Sequence, residues 1–159
     1  MKPVGERGKY FGWRRAGMAA AVLSGVLVFA AHDASAAGRH SLEPPAQSEF
    51  GLGPRASVGG HYRAVLQPSQ PLRPRRMQTV QVVVMNSDGH AVDGATIAID
   101  GGMPQHGHGL PTQPRVTRNL GGGLYEIAGV RFNMGGWWQF SLDITSSVGS
   151  DKVTFNLDL

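Results

Sequence analysis

From Gly60 to Leu159 the apolar residues of most runs recur at every second position, and no run shows the spacing of a helical stripe. Tyr62, Ala64 and Leu66 alternate with polar neighbours, and Met77 to Asn86 (MQTVQVVVMN) is a valine-rich run long enough for a central strand. Ala95 to Asp100 alternates again, Arg115 to Leu120 does so more weakly, and Tyr125, Ile127 and Val130 oppose Leu124, Glu126 and Ala128. Trp138, Phe140, Leu142 and Ile144 share one face of the next run, as do Val153, Phe155, Leu157 and Leu159 of the last. Ser87-Asp88-Gly89, Gly121 to Gly123, the Phe132 to Gly136 bend and Ser146 to Ser150 separate these runs as turns, and Gln67 to Arg76 reads as a Pro-rich basic connection. About seven short strands in this span predict an all-β fold, an immunoglobulin-like antiparallel β-sandwich. The chain has no cysteine, so its core must do without disulfides. Burying Trp138, Phe140, Phe155 and Tyr125 stabilises such a fold by about 2 kcal/mol each.

The first 59 residues read differently. Lys2, Arg7, Lys9, Arg14 and Arg15 stand against Glu6, followed by an apolar run from Ala16 to Ala31 and then Ala34-Ser35-Ala36. A basic start, an apolar centre and small residues at the end predict a secretory signal over 1–36, with an uncleaved membrane anchor as the alternative. Residues 37–59 lack an apolar period and read as a flexible linker, leaving 60–159 as the folded domain. The excess positive charge of +4 sits in that signal; beyond residue 15 the chain carries ten Arg or Lys and ten Asp or Glu. A sequence balanced in this way offers no basic stripe for nucleic acid, and none is expected as a partner. The expected location is the periplasm, with membrane contact only through the N-terminal segment if it is retained.

One stretch stands apart. Gly101 to Pro114 reads GGMPQHGHGLPTQP, and Gly and Pro at that density predict a loop between strands. It carries Met103, His106 and His108. In an extended chain, residues two apart project to one side, so both imidazoles can face one ion. Met103 adds a thioether, and Met134 in the FNMGG bend belongs to a loop that clusters at the same end of a sandwich. Imidazole with thioether is a copper-leaning donor set, with Cu(I) favoured, whereas structural zinc takes Cys or a carboxylate and calcium takes oxygen. The bland readings are a packed gap-filler for Met103, backbone-bonded histidines, and a sulfur–aromatic contact of Met134 with Trp137 and Trp138. Trp137, on the face opposite Trp138, packs under the loop or lines a pocket. No nucleophile triad and no carboxylate pair accompanies the histidines, and no enzymatic activity is expected.

GGMPQHGHGLPTQPRVT, GGGLYEIAGVRFNMGGWWQFSLDI and the closing KVTFNL together resemble the YtkA-like family of exported domains, also grouped with FixH-like proteins and in part labelled auxin-binding. The resemblance covers roughly Met77 to Leu159. It implies an extracytoplasmic β-sandwich linked to heme-copper oxidase assembly and copper handling. The expectation is therefore an exported copper carrier whose partner is a membrane oxidase or a copper-handling protein. Two alternatives stand beside it: a metal-independent assembly module, and a small-ligand binder with Arg115 and Arg131 as the nearest cations.

Overall fold

The period-two runs become strands that pair edge to edge into two layers. In a computed structural model, which describes residues 43–159, a short 3-10 turn at Gln47–Glu49 precedes nine strands among the described residues. These are β1 (Arg55–Ala56), β2 (Tyr62–Pro68), β3 (Met77–Asn86), β4 (Thr96–Met103), β5 (His108–Gly109), β6 (Arg115–Gly121), β7 (Leu124–Arg131), β8 (Trp137–Ser146) and β9 (Gly149–Asp158). One sheet has the order β1-β2-β3-β7-β6 and the other β5-β4-β8-β9, with every pairing of named strands antiparallel. The all-β sandwich expected from the alternation is what forms. The expected signal and residues 37–42 of the expected linker lie outside the described residues. Among the described residues no helix is long and apolar enough to cross a membrane.

The facing sides supply one core. Tyr62, Val82, Val84, Tyr125, Ile127, Trp138, Leu142 and Phe155 are all at most 1 % exposed and belong to one apolar cluster. Each occupies the inward phase of its strand, so the period seen in the sequence is the period of burial. Two core hydroxyls are satisfied, that of Tyr62 across the layers and that of Tyr125 by the chain beside its own sheet. Tyr62 donates to the Gly149 carbonyl at 2.5 Å, and Tyr125 to the Val92 carbonyl at 2.6 Å.

Three differences from the sequence reading have physical causes. Two of the nine strands, β1 and β5, are two residues long, and two residues carry no period to read. Within the expected flexible linker, residues 50–57 pair with the sandwich: the Gly51 N–H donates to the Asn156 carbonyl at 2.9 Å, and Arg55 aligns with Ala64. Main-chain bonding of this kind needs no apolar pattern, which is why composition missed it. Finally, the expected loop 101–114 is largely a β-hairpin, because β4 continues through Gly101 and Gly102 to Met103.

Connections 68–77, 103–108, 109–115 and 131–137 all gather at one end of the sandwich. That end carries Arg73, Arg75, Arg76, Arg115 and Arg131, whereas Asp88, Asp93 and Asp151 belong to the opposite end. Asp100 and Asp158 share the arginine-rich end, and Arg63 lies toward the other, so the five arginines form a local cluster rather than one pole of the molecule.

Candidate metal centre

The hairpin from Met103 to His108 is closed by local chemistry. The N–H groups of His106 and Gly107 both donate to the Met103 carbonyl, at 3.0 and 2.9 Å, and Gly107 takes φ +66°. A left-handed residue at the end of such a turn returns the chain toward its partner strand, and glycine does this without a Cβ penalty. Met103 and His108 then face each other as a register pair.

The turn, rather than an extended chain, brings the imidazoles together. The His106 and His108 rings stack with centroids 5.8 Å apart and planes 28° from parallel. His106 is exposed and His108 half-buried. The His108 Nδ1 lies 3.4 Å from the Gly109 carbonyl oxygen, a contact that fits the Nδ1–H tautomer and leaves Nε2 as the donor atom for a metal.

The two methionines differ. Met103 is 2 % exposed and belongs to the core cluster, in the inward phase that starts at Ile97. A Cβ built on Gly136 would stand 3.0 Å from its terminal methyl, so the thioether reaches the bend between β7 and β8. Met134, in that bend, is an exposed side chain, while its carbonyl accepts the Trp138 indole N–H at 3.1 Å. The bend is tied down elsewhere as well. The Phe132 carbonyl accepts the Arg75 N–H at 2.6 Å, and the Gly136 N–H donates to the Leu159 carbonyl at 2.7 Å.

A residue not singled out for the site in sequence joins it. The buried Trp138 meets the His108 ring edge-on at 5.8 Å, while Trp137 is turned away and donates its indole N–H to Asn156 Oδ1 at 3.0 Å. Strand phase alone put Trp138 in the core; only the hairpin's return shows that His108 lies over it.

The donor set can be tested against this arrangement. Among the described residues no three His, Cys, Asp or Glu side chains converge for a metal, so a nitrogen-and-carboxylate zinc centre has no basis here. Met103 is the register partner of His108 and Met134 stands in the neighbouring bend, so the donor types within this region are imidazole and thioether, which suit a soft ion. A shared ion would require the stacked rings to turn their nitrogens toward one point, and of the two His106 is the exposed one. A shallow depression beside the hairpin, lined by Asp100, Met103, Pro104, His108 and Gln139, gives access from solvent.

Comparison with known proteins follows the same segments. A family model described as YtkA-like matches residues 58–143, a span holding the hairpin, the bend, Trp137 and Trp138. No match is found among curated proteins or among solved structures.

Proposed function

The chain belongs to the YtkA-like family, and on that premise we propose that it is an exported copper-binding β-sandwich that carries or delivers copper in the periplasm. The destination in this reading is a membrane oxidase under assembly or a copper-tolerance system. The observation that carries the proposal is the pair of stacked imidazoles, His106 and His108, on one hairpin. Met103 and Met134 supply the sulfur, from beneath the hairpin and from the neighbouring bend, and Cu(I) is the favoured ion. Copper is cargo here: this chain's own residues hold it and present it on an exposed turn. Trp138 under His108 gives the imidazole a rigid backing. Titrating the full chain with Cu(I) against a competing chelator tests the reading. Binding tighter than about 1 µM is expected, weakened at least about tenfold when His106→Ala and His108→Ala are combined. Binding that the double variant leaves unchanged removes the proposal.

A second reading rests on the His108–Trp138 contact, which also suits a histidine placed for packing. In it the hairpin is a protein-contact surface of a metal-independent assembly module. Cross-linking in the native membrane separates the two, since this reading expects the metal-free protein to capture the same partner as the metal-loaded one.

A further inference from the structure

The connection between β2 and β3, which the sequence presents only as a Pro-rich basic link, borders a half-open cleft of about 420 Å³. Pro71, Leu72, Arg73, Arg76, Met77 and Gln78 are among its lining residues. We propose that this loop is an oxyanion site that binds a phosphate group through Arg73 and Arg76, independently of any metal.

Three observations carry this. First, the loop is braced beside the cleft. Gln78 Oε1 accepts the Arg73 N–H at 2.8 Å, and Gln78 Nε2 donates to the Arg73 carbonyl at 3.0 Å and more weakly to that of Arg76 at 3.5 Å. One side-chain amide therefore fixes the backbone on both sides of the opening. Between them Arg75 is held at φ +65°, a conformation that non-glycine residues rarely adopt, by its N–H bond to Phe132 at 2.6 Å. A solvated spacer has no need of such bracing; a site that must hold two cations in place does.

Second, the guanidinium groups of Arg73 and Arg76 form no ion pair among the described residues, although Asp158 lines the adjoining depression with Pro71 and Leu72. The ion pairs among the described residues engage His61, Arg118 and Lys152, and no described residue accepts a hydrogen bond from the side chain of Arg73 or Arg76. Arg75 lies between them, and Arg131 aligns with the lining residue Met77. Repulsion within such a group is relieved when a multiply charged anion enters, and two planar forks suit the oxygens of a phosphate.

Third, the cleft exceeds what a bare phosphate fills. Met77 is 62 % exposed and Leu72 half-buried, so an apolar wall adjoins the cations. That combination fits a phosphate carried on an organic body. Either a small soluble phosphate ester or a phospholipid headgroup supplies this chemistry.

The test uses the full chain and two probes: inorganic phosphate in solution, and phosphatidylcholine vesicles with or without phosphatidylglycerol. Arg73→Gln combined with Arg76→Gln is compared with wild type and with Arg63→Gln, which removes one exposed cation from the opposite end of the sandwich. The N-terminal segment is common to all, so only differences between variants count. Saturable phosphate binding that falls at least tenfold in the double Gln variant, but not in Arg63→Gln, supports a site for small phosphates. Phosphatidylglycerol-dependent sedimentation with the same variant pattern supports a headgroup site. Wild type and the double Gln variant behaving alike with both probes overturns the proposal. A double Lys variant that binds as tightly as wild type also overturns it, because a diffuse field would then suffice without the forked geometry. Unchanged thermal unfolding of the variants shows that any loss is not a loss of fold.

Discussion

Two glycines at the candidate centre separate backbone strain from crowding. Gly107 has φ +66° with nothing within 4 Å of an added Cβ, whereas Gly136 has φ +117° and would place its Cβ 3.0 Å from the Met103 methyl. Gly107→Ala is therefore expected to cost about 1–2 kcal/mol from left-handed geometry alone. Gly136→Ala is expected to cost about 2–4 kcal/mol, because the strain is joined by pressure on a packed side chain. Paired denaturant titrations check the order, and equal losses would mean that Met103 yields freely. Met103 supports a second comparison, since its burial alone explains its presence. Met103→Ala should lose about 2–5 kcal/mol as a cavity opens, while Met103→Leu keeps the volume and should stay within about 1.5 kcal/mol of wild type. If sulfur is a ligand, the Leu variant alone isolates it: a stable fold with weakened Cu(I) binding. Retention of full Cu(I) affinity by Met103→Leu would leave the residue as core only.

Whole strands were easier to read than their ends. The run Met77–Asn86 is β3 to the residue, because a valine-rich run of that length suits a central strand and little else. Trp138, Phe140, Leu142 and Ile144 lie inward on β8 for the same reason. The hairpin was hidden because Gly101 and Gly102 look like breakers, although Ile97, Ile99, Gly101 and Met103 continue one phase. Reading that phase through the glycines puts Met103 in the core and ends the strand there. The stacking of two imidazoles was beyond any sequence pattern, since it depends on how a turn folds back. The N-terminal arm was hidden too, as its contacts are made largely by backbone and by polar side chains, Ser57 and Asn156 among them. Asn156 accepts the Trp137 indole N–H at 3.0 Å and donates to the Glu49 carbonyl at 3.3 Å. Asn156→Ala removes both bonds, at about 1–2 kcal/mol together. Hydrogen exchange should quicken at Gly51, whose N–H donates to the residue 156 carbonyl, while the β8–β9 ladder keeps its protection. Uniform acceleration across both strands would mean that the arm and the sheet open as one unit.

At the scale of the molecule, the arginine cluster by the hairpin and the carboxylate of Asp151 are held differently. The arginines near the hairpin are left without carboxylate partners among the described residues, whereas the carboxylate at the other end is enclosed. Asp151, its side chain 7 % exposed, accepts the Gly59 N–H at 3.0 Å on each oxygen, the His61 N–H at 3.2 Å and the Lys152 N–H at 2.8 Å. It thereby ties β9 of one sheet to the turn before β2 of the other. The Ser57 hydroxyl, then the Gly59 N–H and its neighbours, hold the carboxyl well below the usual carboxylate range. A depressed folded-state pKa contributes stability that is complete above the unfolded value, near 3.8, and is lost as pH falls through the lower folded value. Glu126, lowered by its bond to Arg118, acts with the same sign. Unfolding midpoints measured from about pH 7 down to about pH 2 should therefore hold steady and then drop below about pH 4. Asp151→Asn gives up the anion that the N–H groups surround, so its midpoint should be lower at pH 7 and its acid drop shallower. The two curves should converge as pH falls, since protonation removes from the wild type what the substitution has already removed. Curves that run parallel to the lowest pH would assign the acid limb to other carboxylates and leave Asp151 as a neutral brace.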